Sequence, residues 1–329
     1  MKSKEIRCDG LQKPRPTDRR AFLRQVGAGG LAAAAGASLP GMTAGAAPAA
    51  PSAPAAGLLP TIKIGDKTFT RMLAGGNPVQ GYSHAVQNLT QHMMEYFTVE
   101  QTAKFILHCE EVGINTFQCS YSDKVRDALL KAWDSGSKIQ YMCLTADDAT
   151  QTPLDKIVPL KPVAISHHGV VTDSRFREGK PELIHDYIKK VHDKGMLAGI
   201  STHNPNNVRA AEEKGWEHDF VMTCFYNVVR TDDDVKKEFG QLLVGEVYGA
   251  DDPRRMIEVI RQSKKVCLAF KILAAGRHCW TSFSVERQFQ LAFKSIKPTD
   301  AIIVGMYPRF QDEPKINAGY VRKYGTVKA

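Results

Sequence analysis

The sequence predicts a single (β/α)8 barrel, a TIM barrel, preceded by an N-terminal β-hairpin. Eight short apolar segments of strand type alternate with helix-type segments from residue 71 to the C-terminus, and such strict alternation is typical of parallel closed barrels. A turn dipeptide, Gly65-Asp66, separates two short alternating segments just before the first strand, which indicates a hairpin. No Gly-x-Gly-x-x-Gly motif follows the first strand, which weighs against an open dinucleotide-binding sheet.

The predicted hairpin pairs residues 61–64 with residues 67–70. The barrel strands that follow are short and almost continuously apolar, because parallel strands are buried on both faces. The eight predicted strands are residues 71–74, 115–119, 139–144, 163–166, 197–202, 220–225, 266–272 and 301–304.

Helix start and stop signals occur between these strands. Thr98-Val-Glu-Gln101 has the pattern of a capping box. Asn204-Pro205 and Asp252-Pro253 each place a capping side chain before a helix-compatible proline. Glycines that end helices stand shortly before three strands, at Gly113, Gly195 and Gly215.

Two strand-to-helix connections are unusually long, residues 77–97 and residues 227–251. Loops that follow the strands of a barrel lie on its catalytic face. Long loops in compact domains are usually functional. We therefore expect these two loops to cover a pocket at the C-terminal ends of the strands.

The N-terminal segment predicts export. Arg19-Arg20-Ala21-Phe22-Leu23-Arg24 resembles a twin-arginine signal, an apolar Gly/Ala stretch follows at residues 26–39, and Ala44-Gly45-Ala46 fits a signal peptidase site. We assign residues 1–46 to a twin-arginine signal peptide, residues 47–60 to a Pro/Ala-rich linker and residues 61–329 to the barrel domain. The expected partner is the twin-arginine translocation machinery, and the destination is the periplasm or another extracytoplasmic site, with a membrane tether if the signal stays uncleaved. The alternative is a disordered tail with a chance Arg-Arg pair.

Charge and cysteine content exclude several other classes. Residues 1–46 hold eight Lys/Arg and three Asp/Glu, so they supply five of the nine formal positive charges. The remaining charge is unremarkable for an enzyme-sized domain, and we expect no nucleic-acid partner. The six cysteines after residue 46 form no Cys-x-x-Cys pair, so neither a zinc ribbon nor a disulfide framework is expected.

The order of motifs resembles the aldo-keto reductase superfamily over residues 61 to about 320. The segments that carry the resemblance are Leu73-Ala-Gly-Gly76, Gly113-Ile-Asn-Thr-Phe-Gln118, Ser166-His-His-Gly169, Gly199-Ile-Ser-Thr-His-Asn204, Phe225-Tyr-Asn227, Lys271-Ile-Leu-Ala-Ala-Gly276 and Ile302-Ile-Val-Gly305. The resemblance implies a barrel that reduces carbonyl or sugar-like small molecules with NADP or NAD. It also implies a cofactor role for Asn317, which falls where many members carry an asparagine in the last helix.

The family's catalytic tetrad is largely not retained. Its members use a tyrosine acid beside a lysine that an aspartate holds, and a histidine orients the substrate oxygen. Here Gln118 stands at the aspartate position, Ala146 stands at the lysine position, and Tyr121 is the only nearby phenol. The histidine corresponds to His168 or its neighbour His167. Adjacent strand residues face opposite ways, and we prefer His168 because Gly169 matches the family register.

Residues at the C-terminal ends of the strands converge on the pocket of a barrel. We take His168, Lys271, Tyr121 and His167 as the catalytic candidates. The substrate-binding candidates from the strand ends and long loops are Asn77, His84, Gln118, His203, Tyr226, Asn227 and Tyr307. Arg277 and Arg309 follow strands seven and eight, where barrels commonly bind phosphate groups, so they are candidates to bind the cofactor with Asn317.

Lys271 interrupts an apolar segment, residues 266–272, that should be buried on both faces. An isolated buried ammonium is costly, so it should have a carboxylate, phosphate or substrate partner. The residue is an activated amine, a general base or a cation for a substrate oxyanion. The alternative is a side chain that extends outward to solvent between helices.

The leading functional hypothesis is an exported oxidoreductase of aldo-keto reductase type. One alternative is a lyase, isomerase or hydrolase on the same barrel without nicotinamide, using Lys271 and His168. A metal-dependent variant would draw on His84, His168 and His203, completed by Asp123 or Asp173. The other alternative is a non-catalytic barrel that binds a metabolite.

Overall fold

The computed structural model describes residues 57–326 of the protein. The predicted signal peptide and most of the predicted linker lie outside the described residues. No helix within residues 57–326 has the length and apolar character needed to cross a membrane.

Eight parallel strands close into a barrel, which confirms the predicted fold class. An antiparallel hairpin, β1 and β2, precedes them, with Thr61 opposite Thr70 and Ile64 opposite Lys67. Strands follow one another around the barrel in chain order, and the last strand pairs with the first barrel strand to complete the closure. The strands are β1 Thr61–Ile64, β2 Lys67–Thr70, β3 Met72–Gly75, β4 Thr116–Cys119, β5 Gln140–Thr145, β6 Ala164–His167, β7 Leu197–Thr202, β8 Phe220–Cys224, β9 Val266–Phe270 and β10 Ala301–Gly305.

Helices connect the strands on the outside of the barrel. They are α1 Gln87–Tyr96, α2 Val99–Glu111, α3 Asp123–Asp134, α4 Leu154–Ile157, α5 Gly169–Arg177, α6 Glu182–Asp193, α7 Pro205–Glu213, α8 Asp232–Phe239, α9 Asp252–Gln262, α10 Ser282–Ser295 and α11 Glu313–Tyr324. Two 3-10 turns, Val158–Leu160 and Ala274–Gly276, complete the regular structure. The helix α1 lies inside the first long connection, and α8 lies inside the second.

The hairpin closes the N-terminal end of the barrel. Its apolar residues Ile62, Ile64 and Phe69 pack with the side chains that fill the barrel interior, such as Phe220 and Leu268. Full burial of each large apolar side chain stabilises the fold by roughly 1.5–3 kcal/mol. A second apolar layer lies between the outer face of the strands and the helices. Since the hairpin occupies one end, a ligand site has to lie at the other end, where the strands terminate.

Several predicted element ends differ from the structure. The seventh barrel strand was predicted to run through residue 272, but β9 ends at Phe270 because Lys271 turns into the left-handed region with φ of 57°. The Thr98 side chain accepts a hydrogen bond from the backbone N–H of Gln101 and so caps α2. The Gln101 side chain donates to the Tyr96 hydroxyl, so the predicted capping box is only half formed. Asn204 caps α7 as predicted.

Asp252 does not cap α9, whose cap position is Asp251. The Asp252 side chain is buried and serves the preceding loop instead. The Asp-Pro pattern therefore located the start of the helix but misassigned the role of the aspartate.

Candidate functional site

A buried carboxylate and an imidazole meet where β6 and β7 end. Asp173 lies in α5, and its Oδ2 is 2.7 Å from Nδ1 of His203, the residue that follows β7. Their side chains are only 2% and 9% exposed. The Asp173 carboxylate also accepts hydrogen bonds from the Thr202 hydroxyl at 2.5 Å, the His203 backbone N–H at 3.1 Å and the Asn207 amide at 2.8 Å. A buried charge needs such partners.

This arrangement fixes the state of the His203 ring. An ionised carboxylate only accepts hydrogen bonds, so Nδ1 of His203 carries the proton and donates it to Asp173. Nε2 is then the nitrogen left for a ligand. Gly169 allows the ring to lie so close to α5, because a Cβ there would stand 2.9 Å from Cε1 of His203 and 3.0 Å from the Ser201 hydroxyl oxygen.

A cavity of about 530 Å3 opens beside this pair, a volume within the ordinary range for small-molecule sites. It lies between the connections that follow β7 and β8, and its walls include His203, Asn204, Phe225 and Asn227. Four basic side chains in the lining, Arg209, Arg230, Lys237 and Arg255, are matched by four acidic ones, Asp234, Glu238, Asp252 and Glu258. The balance favours an uncharged polar ligand over a strongly anionic or cationic one.

The two adjacent histidines occupy different environments. His167 lies among the helices, where its Nδ1 is 2.7 Å from the Thr172 hydroxyl and its ring packs edge-on against Tyr187. His168 continues the row of alternate residues that includes Ala164 and Ser166, and Ala164 packs in the barrel interior. The buried Nδ1 of His168 has no hydrogen-bond partner among residues 57–326. Burial, helped by the charge of His203, lowers the pKa of His168 to about 4. Burial lowers the pKa of His167 to about 3.

Lys271 stands directly after β9, with its Nζ buried and without a hydrogen-bond partner in the described part of the chain. Burial lowers the pKa of Lys271, whereas the thiol of Cys224 and the carboxylate of Glu246 act to raise it. The side chain therefore does not extend outward to solvent. We expected a carboxylate, phosphate or substrate partner from the sequence. Among the described residues, the carboxylate whose charge raises the pKa of Lys271 is that of Glu246.

Lys271 and the Asp173–His203 pair belong to one site. The ring of Phe270, the residue before Lys271, packs edge-on against the ring of His203 with centroids 5.6 Å apart. The thiol of Cys224, at the end of β8, is affected by the charges of both Lys271 and Asp173. An imidazole, a thiol and an amine thus stand at or directly after the ends of three neighbouring strands, β7, β8 and β9.

The two long connections meet at this end of the barrel. His84 from the first connection contacts Glu246 from the second, with Nδ1 2.8 Å from Oε1, and its Nε2 is 3.1 Å from the Asn77 amide nitrogen. Tyr248 donates to Glu246 at 2.9 Å. Burial would raise the pKa of Glu246, but the hydrogen bond and charge of His84, with Tyr248 and Lys271, hold it at about 2.

Arg277 joins the same group of residues. Its guanidinium lies 3.8 Å from the centre of the Tyr248 ring and donates to the His84 carbonyl at 3.2 Å. We predicted this arginine as a phosphate ligand of a cofactor. In the structure it holds the two loops together.

Tyr226 and Asn227 continue this region. The Tyr226 hydroxyl is 2.8 Å from Nε2 of His278, and burial raises the pKa of Tyr226 to about 12. The Asn227 side-chain oxygen is buried without a hydrogen-bond partner among the described residues, although Asn227 lines the cavity.

The other predicted site residues have different surroundings. Tyr121 contacts Asp123 and Arg126, Tyr307 contacts His92 on α1, and Arg309 lies over the Tyr96 ring. Gln118 is buried within β4, and Asn317 is buried in α11. Within the part of the chain that the structure describes, the contacts of Tyr121, Tyr307 and Arg309 do not include Lys271 or His203.

The metal-dependent alternative required three histidines to converge. Among residues 57–326, no group of three His, Cys, Asp or Glu side chains is arranged to hold a metal ion. His84 is engaged by Asn77 and Glu246, and His203 is engaged by Asp173.

Several residues of the site were not predicted from the sequence. Asp173 was expected only as a completing metal ligand, and Glu246, Tyr248 and Cys224 were not singled out. One signal for Asp173 was available in the sequence. It is an acidic residue that comes directly after Val170-Val171-Thr172, in the segment that follows a strand. Glu246 and Tyr248 lie in a long loop, and no local pattern marks them.

Comparisons with known proteins find only distant structural similarity. Neither family models nor curated proteins match the chain. The glycerol dehydrogenase from Gluconobacter oxydans is 10% identical, covering 82% of this chain and 90% of that one, with a TM-score of 0.46. A truncated 3-deoxy-D-arabino-heptulosonate 7-phosphate synthase from Thermotoga maritima is 13% identical, covering 81% and 91%, with a TM-score of 0.46.

The N-acetylmannosamine-6-phosphate 2-epimerase from Clostridium perfringens is similarly distant, at 11% identity, coverage of 76% and 91%, and a TM-score of 0.43. The matched structures thus include an oxidoreductase, a synthase and an epimerase. Fold does not determine function in such barrels, so the function has to be argued from the site.

Proposed function

We propose that the protein is an enzyme of isomerase or lyase type that transfers protons on a small, uncharged carbonyl or sugar-like molecule. His203 acts as the base, Asp173 orients it, and the substrate lies in the cavity that His203 lines. The proposal requires no nicotinamide cofactor.

The observation that carries this proposal is the hydrogen bond of 2.7 Å between Asp173 and Nδ1 of His203. A carboxylate in this position selects the ring tautomer and stabilises the imidazolium that forms when the other nitrogen accepts a proton. Because Asp173 is held by three further donors, the ring orientation is fixed before a ligand binds. A positioned base of this kind typically contributes about 10²–10⁴-fold to a rate.

Neighbouring residues provide what the reaction needs besides a base. His168 is uncharged near neutral pH, since its pKa is lowered to about 4, so it suits hydrogen bonding to a substrate oxygen. Lys271 offers a buried amine that has no hydrogen-bond partner among residues 57–326. The balanced charges of the cavity lining suit a neutral polar molecule.

Deuterium exchange with a small panel of carbonyl compounds tests the proposal. Glyceraldehyde, dihydroxyacetone, glucose and hydroxyacetone would be incubated with the protein in D2O, and exchange at the carbon next to the carbonyl would be followed by NMR. We expect exchange with at least one compound, and His203→Gln should slow it by about 10²–10⁴-fold.

His185→Gln is the matched control, because His185 lies on α6, where it contacts Glu217 and stacks on Trp216. It should leave exchange unchanged. Exchange that His203→Gln leaves intact, or no exchange with any compound, would contradict the proposal.

A nicotinamide-dependent oxidoreductase of aldo-keto reductase type is the second candidate. The observation in its favour is the hairpin that closes the N-terminal end of the barrel. The resemblance to the aldo-keto reductase superfamily covers this hairpin as well as the ordered motifs. Titration with NADPH and NADH, followed by quenching of intrinsic fluorescence, distinguishes the two proposals. Micromolar binding that Arg277→Gln weakens would favour the oxidoreductase.

A further inference from the structure

Lys271 is held in an unusual conformation at the end of β9. Its φ of 57° lies in the left-handed region, which costs a non-glycine residue of order 1–3 kcal/mol. Its Nζ is buried and has no hydrogen-bond partner among residues 57–326. Strain and an unpartnered polar atom in one residue are typical of functional sites, where the surrounding structure compensates for them.

The groups whose charges affect this amine come from three elements. Cys224 belongs to β8, Glu246 to the connection after β8, and Arg277 to the connection after β9. Burial has the largest effect on the pKa of Lys271 and lowers it, Cys224 and Glu246 raise it, and Arg277 lowers it. A lysine that is desolvated beside another cation gains neutral, nucleophilic amine near neutral pH.

Cys224 and Phe270 relate Lys271 to the cavity and to His203. Cys224 lines the cavity, and the charge of Lys271 acts on its thiol. Phe270, adjacent in the chain to Lys271, contacts the ring of His203. The Lys271 amine and the His203 ring therefore belong to residues that directly follow β9 and β7, at the same end of the barrel.

We infer that Lys271 binds the substrate covalently as an imine, and that the substrate class is aldehydes and ketones with a free carbonyl group. This inference rests on the proposed function, because the imine would accept the electrons that remain when His203 removes a proton from the neighbouring carbon. The Nζ lone pair forms a bond to the carbonyl carbon, and the oxygen takes a proton to give a carbinolamine. Loss of water then leaves a protonated imine.

The positive nitrogen draws the electrons of the adjacent C–H bond when His203 removes that proton. Reprotonation at carbon reverses this step, and addition of water returns the ketone or aldehyde and the free amine. No oxidant or reductant is consumed. Water and one proton are the only other participants.

Reductive trapping tests the inference on the intact protein. Glyceraldehyde, dihydroxyacetone and hydroxyacetone would each be added with sodium cyanoborohydride near pH 7, and modified lysines would be located by peptide mass spectrometry. Burial lowers the pKa of Lys271, so a larger share of its amine is neutral and nucleophilic near pH 7 than in an exposed lysine. We therefore expect Lys271 to be modified faster than exposed lysines.

Lys297 provides the internal comparison. It is partly buried like Lys271, but its Nζ donates to the Ile260 carbonyl at 2.8 Å and pairs with Asp300 at 3.0 Å. It should stay unmodified. Lys271→Arg and Lys271→Met should both abolish the specific adduct, while their melting curves show that the barrel is folded.

The outcomes separate the two proposals. Trapping at Lys271 with one of the three compounds supports the imine. Modification confined to other lysines, or none with any compound, overturns the imine, and deuterium exchange that persists then leaves His203 as the base. If Lys271 is trapped but exchange is absent, the imine stands and the proton-transfer function fails.

Discussion

At the residue scale, the chemistry of the site depends on which polar atoms have partners and which do not. Asp173 is saturated by donors from Thr202, His203 and Asn207. Lys271 Nζ and His168 Nδ1, in contrast, are buried without partners among the described residues. Leaving a buried polar group without a hydrogen bond costs about 1–3 kcal/mol. Two buried groups without partners, near a pair whose carboxylate is fully hydrogen-bonded, are what a site shows when a ligand supplies the missing hydrogen bonds.

Replacing Lys271 by methionine distinguishes its proposed role in proton transfer from a role in stabilising the fold. The Lys271→Met variant keeps the stem of the side chain and removes an amine that has no ion-pair partner within the described residues. We expect the melting temperature to stay the same or rise, because the desolvation cost disappears, while deuterium exchange falls by about 100-fold or more. A loss of about 3–5 kcal/mol in the free energy of unfolding would instead reveal a structural ion pair.

His218 predicts a pH dependence of stability. It is fully buried, neither ring nitrogen has a partner in the described part of the chain, and burial lowers its pKa from 6.5 to about 4. The folded state thus favours the neutral ring, whereas the unfolded chain takes up a proton as the pH falls below 6.5. Stability is therefore fully present above pH 6.5 and declines toward pH 4, by about 1.4 kcal/mol per pH unit for this one group.

Urea denaturation at several pH values between 7.5 and 4.5 checks this prediction. The His218→Leu variant should show a shallower decline by about 1.4 kcal/mol per pH unit, and His167 and His168 should account for part of the remainder, since burial lowers their pKa values as well. His185→Gln serves as the surface control. Identical pH profiles for the wild type and His218→Leu would contradict the account.

At the scale of elements, the sequence predicted each barrel strand to within two residues. Strand and helix periodicity is local, and turn glycines mark the element ends. The longest error, in β9, arises because Lys271 adopts a left-handed turn inside an apolar run that continues to Ile272. Pairings such as Asp173 with His203, thirty residues apart, depend on strand order and helix placement, so no local pattern reveals them.

The connection after β8 is held at both ends by one residue. Asp252 accepts hydrogen bonds from the backbone N–H groups of Asn227 at 3.2 Å and Gly249 at 3.0 Å. It also forms a buried ion pair with Arg230. Because this connection carries Glu246 and lines the cavity, Asp252 positions one wall of the site.

Removing this carboxylate should loosen the loop. Asp252→Asn leaves Glu238 as the carboxylate that pairs with the Arg230 guanidinium, and breaking a buried pair typically costs about 3–5 kcal/mol. We expect a lower melting temperature and faster proteolysis within residues 227–251. Asp251→Asn is the control, because its exposed pair with Arg254 should contribute about 1 kcal/mol or less. Equal effects of the two variants would contradict a special role for Asp252.

At the scale of the whole molecule, the fold could be predicted because each of its parts leaves a local signature. The hairpin closes one end of the barrel through Ile62, Ile64 and Phe69, so the site lies at the opposite end. The sequence located that end and the two long loops. It did not predict that Arg277 would join these loops through His84 and Tyr248, because residues far apart in the chain determine this contact.

Export by the twin-arginine pathway stays a proposal that rests on residues 1–46. Arg19→Lys/Arg20→Lys should retain the precursor in the cytoplasm, because the translocation machinery recognises the arginine pair itself and the substitution keeps the net charge. Cell fractionation and immunoblotting of the full chain measure the outcome. Arg15→Lys, outside the pair, should be exported normally, and normal export of the double variant would refute the assignment.

We propose that Asp173 holds the His203 ring with Nδ1 protonated and Nε2 free to act as a base. Nitrogen NMR of histidine-labelled protein near neutral pH reports the protonation of each ring nitrogen directly, and His203→Gln identifies the signal. We expect a protonated Nδ1 and an unprotonated Nε2, and Asp173→Asn should shift the ring toward the other tautomer or a mixture. A proton on Nε2 in the wild type, or a tautomer unchanged by Asp173→Asn, would contradict the account.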